Sequence, residues 1–187
     1  MNKSQRVSVY VDGFNFYHAI RKLTIPNKYV DLQKLSQDML QPHQELVAVN
    51  YFSAFATWRT TAYPKHLKYV RQLQGVGVNT VMAHFKTKPM QCASCKARWQ
   101  SHEEKETDIR IALNMFEDAM DDVFDLAIVI SADSDLVPVI DRINTRFKDK
   151  FIFLAVPPKR YKNARDLIRV STTAKEITVG QVKKALF

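Results

Sequence analysis

Four aspartates in this sequence have the type and placement to do chemistry. Asp133 and Asp135 stand two residues apart beyond the apolar run Leu126-Ala-Ile-Val-Ile130, Asp12 ends Arg6-Val-Ser-Val-Tyr-Val, and Asp108 lies early in an amphipathic stretch. Carboxylates that converge without basic partners repel one another, and a hard divalent cation held by oxygen resolves this at neutral pH. Mg²⁺ or Mn²⁺ is therefore favoured over zinc at such a cluster. An ion there lowers the pKa of bound water, aligns it with a phosphodiester and stabilises the leaving oxygen. Asp12 and Asp133 read as principal ligands, with Asp108 and Asp135 as second-ion or water-mediated ligands. Asn15 either holds a water or phosphate oxygen or forms a turn. Lys105 either meets a non-bridging oxygen or lies over a helix face. Helix capping competes for the acids, because Pro138 falls in the first turn of a helix and puts Ser134 or Asp135 near its N-cap.

These acids need a sheet edge to bring them together. A continuous apolar run bounded by polar residues predicts a strand buried on both faces of a parallel sheet, and ligands sit outside the carboxyl ends of such strands where the strand order reverses. Residues 6–12, 46–55, 78–85, 126–130 and 150–156 read as five strands. Helical spacing begins at Gly13, at 32–40 behind an Asp31 cap, at Tyr63 up to a Gly75/Gly77 stop, and at 136–147. Ser101-His-Glu-Glu104 fits a capping box, which opens a helix to about Asp121 with Ile109, Ala112, Leu113, Phe116 and Met120 on one face and Asp108 at its rim. A short helix at 164–169 and another after Gly180 complete the pattern. The alternation predicts an α/β three-layer fold, with a mostly parallel sheet of about five strands and helices on both faces. Right-handed crossovers bring Asp12, Asp108, Asp133 and Asp135 to one edge.

A chain of 187 residues, 46% hydrophobic and with few glycines and prolines, predicts one ordered domain. No apolar run reaches the roughly 20 residues of a membrane span, and Met-Asn-Lys-Ser-Gln-Arg carries no signal-peptide core, so the expectation is a cytoplasmic protein without a membrane. The net charge of +9 is uneven: residues 142–187 hold 12 of the 28 Lys/Arg against only Asp149, Asp166 and Glu176. A basic segment beside acids suggests RNA, or DNA, drawn in electrostatically, in preference to a merely solvated face. Lys159, Arg160, Lys162, Arg165 and Arg169 would then track its phosphates. Trp58-Arg59, past the second strand, has the chemistry to stack on a base. Cys92 and Cys95 have the spacing of half a zinc site, with His84 and His102 near enough in sequence to complete it; ordinary reduced thiols fit equally, and a redox pair fits less well because no thioredoxin-like context surrounds them. A homo-oligomer is compatible with all of this.

The motifs Val-Tyr-Val-Asp12-Gly-Phe-Asn15, Glu104-Lys105-Glu-Thr-Asp108-Ile-Arg-Ile-Ala-Leu and Ser131-Ala-Asp133-Ser-Asp135-Leu resemble those of NYN-domain proteins, a LabA-like branch of the PIN-like nuclease superfamily. The resemblance covers about residues 6–156. It implies a Rossmannoid PIN-like fold, Mg²⁺ or Mn²⁺, and endoribonuclease activity. Asp12, Asp108, Asp133 and Asp135 match the acidic site, Asn15 matches the amide after the first acid, and Ser131 fills a position that is often Ser or Thr. Ala132 stands where relatives often have Gly. The expected organisation is a catalytic domain at 1–156, including a cysteine-containing excursion at 86–102, and a basic C-terminal segment at 157–187 packed on it. The alternative is a non-catalytic nucleic-acid-binding or adaptor module of the same fold. A phosphohydrolase of small phosphate esters leaves the basic segment unexplained, and Phe14 stands where a nucleophilic-Asp phosphatase usually has a second Asp.

Overall fold

Two-sided burial places β5 (Leu126–Ile130) inside the sheet, since every one of its five residues is buried. Leu126, Ile128 and Ile130 join one apolar cluster and Ala127 and Val129 the other, as the two-residue period of a strand requires. The computed structural model describes residues 4–187; the first three residues of the expected 1–156 unit lie outside them. In chain order the elements are β1 (Gln5–Asp12), α1 (Gly13–Ile20), α2 (Leu32–Gln37), β2 (Gln44–Ala54), α3 (Tyr63–Gly75), β3 (Asn79–Gln91), β4 (Arg98–Lys105), α4 (Thr107–Met120), β5, α5 (Val137–Arg146), β6 (Phe151–Val156), α6 (Arg165–Val170), β7 (Thr173–Glu176) and α7 (Val179–Lys184). The strands form one sheet in the order β4-β3-β2-β1-β5-β6-β7, parallel except for the β3/β4 pair. Phe16, Leu35, Leu73 and Val182 bring α1, α2, α3 and α7 onto one face; Ile111, Ile140 and Leu167 bring α4, α5 and α6 onto the other. The chain winds outward from β1 to β4, then returns through α4 to β5 on the other side of β1. The strand order therefore reverses between β1 and β5.

The three-layer α/β architecture is as expected, but the sheet has seven strands where five were read. β7 is a four-residue edge strand, Thr-Ala-Lys-Glu, too short and polar to signal itself. β4 replaces the first turns of the expected helix at Ser101, and with an extended β3 it forms an antiparallel arm that carries the cysteines at its tip. Both strands of the arm are largely solvated, so neither has the alternation that reveals a half-buried strand. Ser101-His-Glu-Glu104 imitates a capping box, but α4 starts only at Thr107. Its buried face is Ile111, Met115 and Ala119, while Ile109 is 61% exposed and Leu113 and Met120 are also exposed. The helix has apolar residues on two faces, and the longer stripe was the wrong one. Among the described residues no helix is long and apolar enough to cross a membrane.

Gly13 joins β1 to α1 where the chain passes closest to β2. A Cβ at this position would lie 2.6 Å from both the Phe52 carbonyl oxygen and the Tyr51 ring. Backbone cannot yield as a flexible side-chain tip can, so Gly13→Ala is expected to destabilise the fold by about 1–3 kcal/mol. A urea melt checks this; an unchanged midpoint would mean that the β1–α1 turn is looser than described.

Candidate metal centre

The acids assemble through strand alternation. Asp12 shares the face of Tyr10, which packs with Ile111 and Met115 of α4, and Val11 is paired with Ile130, so Ser131 falls beside Asp12. The Ser131 hydroxyl donates to Asp12 Oδ2 at 2.9 Å, and the Asn15 backbone N–H donates to Asp12 Oδ1 at 2.9 Å, capping α1. Ser131 Oγ also accepts from the Asp133 N–H at 3.1 Å, and Asn15 Oδ1 accepts from the Ala132 N–H at 3.2 Å. These bonds tie the ends of β1 and β5 together. Asp133 Oδ1 accepts from the Asp135 N–H at 3.2 Å and caps a 3₁₀ turn, Ser134–Leu136, that leads into α5. Capping thus falls to Asp12 and Asp133, and it leaves each carboxylate with acceptor capacity to spare.

Asp108 occupies the first turn of α4. At 100° per residue it lies within about 20° of Met115, so it points to the sheet side of the helix. Asp12, Asp108 and Asp133 each offer a carboxylate oxygen within 4.8 Å of the others, the only such group of three or more potential ligands among the described residues. A cavity of about 390 Å³ opens over them, with Asn15, Glu104 and Arg160 also in its walls.

Burial pushes the pKa of Asp12 up to about 6; the Asn15 and Ser131 hydrogen bonds offset part of this, and the charges of Asp108 and Asp133 add to it. Burial likewise raises Asp108, with further pushes from Asp133 and Asp135. Glu104 goes up to about 7, chiefly by burial, opposed by a hydrogen bond from the Thr107 hydroxyl and aided by the charges of Asp12 and Asp108. At Asp12 and Asp108 the neighbouring carboxylates add to the effect of burial. The donor set fits a hard divalent cation, which would be held by Asp12, Asp108 and Asp133.

Not every expected residue joins the cavity. Asp135 is exposed and outside the trio, though near enough for its charge to raise Asp108. Lys105 points away and pairs with Glu103 Oε1 at 2.6 Å. The cause is the strand: neighbours alternate, so Glu104 faces the acids while Glu103 and Lys105 face outward. Of the basic segment, Arg160 lines the cavity; Lys159, Lys162, Arg165 and Arg169 are exposed beyond it. Glu104 and His18 are cavity residues that the sequence reading missed. Glu104 stood inside a recognised motif, but the helical assignment gave it only a capping role. His18 is held below its ordinary pKa by burial and by Arg21, Arg160, Lys22 and Arg59. Between Glu104 and Asp108, where β4 passes into α4, Glu106 adopts φ 76°, a left-handed conformation uncommon outside glycine.

Cys92 and Cys95 lie in the turn of the β3/β4 arm, beyond the pair Gln91 and Arg98. His102 is opposite Thr87 and His84 opposite Lys105, several residues down the arm, so neither histidine reaches the cysteines to complete the zinc set envisaged from sequence. Trp58 is likewise already occupied: its ring stacks on His102 at 3.7 Å between centroids and meets Phe85 edge-on.

Comparisons with known proteins bear on this site. A family model described as NYN domain matches residues 6–176. The 6-hydroxy-3-succinoylpyridine 3-monooxygenase HspA of Pseudomonas putida (strain DSM 28022 / S16) is 23% identical over 81% of this chain, which spans 59% of that relative's length. A crystal structure of a protein of unknown function from Vibrio parahaemolyticus RIMD 2210633 superposes with a TM-score of 0.66 at 21% identity, covering 96% of both chains, and shares the fold.

Proposed function

This chain belongs to the NYN domain family, within the PIN-like nuclease superfamily, and from that premise we propose that it is a metal-dependent ribonuclease, cutting RNA phosphodiester bonds internally at the aspartate cavity. The observation that carries the reading is the convergence of Asp12, Asp108 and Asp133 within ligand distance of one another at the point where the strand order reverses. Asp12, Asp108 and Asp133 would hold Mg²⁺ or Mn²⁺, which would supply a nucleophilic water at neutral pH and neutralise charge on the phosphate. The chain's own groups prepare the site. Ser131 and the Asn15 N–H hold the Asp12 carboxylate in one orientation, and the Asn15 side chain fixes the Ala132 N–H beside it. Glu104, raised to about 7, is placed to take up or release a proton close to Asp12 and Asp108. Asp135 would act on the cluster from outside, through its charge or a bridging water.

Arg160, at the cavity wall, would hold a phosphate next to the scissile one, with Lys159, Lys162 and Arg165 guiding the strand from farther out. Arg160→Gln is expected to weaken affinity similarly for all sequences and to flatten its salt dependence by roughly 0.7 log unit on a single strand. An unchanged salt slope would remove Arg160 from the strand's path. The test of the function itself is incubation of pure protein with labelled single-stranded RNA and DNA in Mn²⁺, Mg²⁺ or EDTA. RNA fragments that appear with either metal and vanish in EDTA are expected. Affinity for RNA without products under any condition would make the protein a binding module.

A further inference from the structure

A second cavity, of about 400 Å³, adjoins the acidic one and shares Phe14 with it. Its volume falls in the lower part of the roughly 300–1,000 Å³ range of small-molecule sites. Aromatic side chains dominate its walls: Tyr17, Tyr29 and Tyr63 line it together with buried Tyr51 and partly buried Tyr69. The Tyr69 hydroxyl donates to the Val30 carbonyl at 2.8 Å, which fixes that ring in place.

Polar groups inside the cavity are few and uncharged. His66 Nε2 lies 3.2 Å from the Tyr51 hydroxyl and 3.5 Å from Ser53 Oγ, and burial holds the imidazole below its ordinary pKa. The cations are arranged differently. Lys28 is engaged with the Leu23 carbonyl at 2.7 Å, while Arg59 and Lys65 stand exposed at the edge. Aromatic side chains and neutral hydrogen-bonding groups within, with free positive charge only at the rim, suit a flat uncharged heterocycle attached to an anionic chain.

We propose that this cavity receives one unstacked nucleobase of the bound strand, beside the phosphate held at the aspartates, with Arg59 and Lys65 contacting the phosphates that flank it. The proposal rests on the reading of the acidic cavity as a nucleic-acid-cleaving site, and the shared Phe14 wall makes the two sites neighbours along a single strand.

The experiment walks one abasic position along a short single-stranded RNA, with affinity measured in EDTA and single-turnover cleavage in Mn²⁺. One position close to the cut is expected to lose roughly 5- to 150-fold in affinity, the range for removal of a base–aromatic stack. Ala62→Trp fills the mouth from an exposed position without removing a packed side chain, and Tyr63→Ala removes one wall. Both should weaken the intact RNA and abolish the added effect of the abasic position, because the two changes remove one interaction. A flat abasic profile in the wild type, or a sensitive position that persists in both variants, overturns the proposal. A single sensitive position in EDTA, with no cleavage in any metal, supports the cavity and defeats the nuclease reading. Cleavage with a flat profile does the reverse.

Discussion

Asp12→Asn is expected to lower metal-dependent cleavage by about three orders of magnitude while leaving the metal-free protein as stable as, or more stable than, the wild type. The first half follows from the several kcal/mol that a bound ion contributes to transition-state charge stabilisation, each 1.36 kcal/mol being tenfold in rate. The second follows from burial. Asp12 is 4% exposed and has two acidic neighbours, so its ionised form is held against its own desolvation. Asparagine keeps an oxygen for the Asn15 N–H and therefore keeps the α1 cap. If Asp12 served only as a cap, the same change would leave any cleavage intact and stability unchanged, because asparagine caps a helix about as well as aspartate. Activity assays beside thermal melts in EDTA separate these outcomes.

The second large effect is a split response to pH. Asp12 has a folded pKa of about 6 against 3.8 unfolded, so between those values the folded state binds more protons. Stability of the metal-free protein should therefore rise as pH falls from about 7 towards 4, by about 3 kcal/mol from Asp12 alone. Glu104, at about 7, acts in the same direction. Asp122 and Asp125, held low by hydrogen bonds with Lys150 and Arg6, have the opposite sign, but their contribution is lost only below the ordinary carboxylate range. Metal-dependent cleavage should move the other way. Protons compete with the ion for Asp12, so activity at low metal should fall about tenfold per pH unit below 6, and more steeply if Glu104 must be ionised. Melts in EDTA and rates at limiting Mn²⁺, both from pH 8 to 5, check the two arms. Parallel curves would mean that the buried acids are not the groups being titrated.

Much of this site was legible in the sequence because long-range placement followed from short-range pattern. Val7 to Val11 and Leu126 to Ile130 announce buried strands, and acids placed directly after such strands reach the carboxyl edge in any right-handed arrangement. Asp12 and Asp133 needed nothing more, and Asp108 followed from the crossover that sets the N-terminal turns of α4 at the same edge. Glu104 did need more, because its orientation depends on a solvated strand whose polar residues carry no periodic signal, and the local Ser-x-x-Glu match favoured a helix. Lys105 was misplaced by the same mistake: a helix puts it near Asp108, whereas a strand turns it to Glu103. The basic segment was legible as charge but not as geometry, since only the turn after β6 decides that Arg160, rather than Lys159 or Lys162, meets the cavity. The tyrosine-lined cavity was invisible because its walls come from α1, the loop after it, β2 and α3, and each ring alone reads as core.

The most direct test of the central claim, that the three aspartates form one cation site, is a Mn²⁺ titration followed by the loss of the free-ion paramagnetic resonance signal, with wild type beside Asp12→Asn and Asp133→Asn. Saturable binding by the wild type, sharply weakened in both variants, is the predicted result. Either no saturable binding by the wild type, or equal binding by all three proteins, would contradict it.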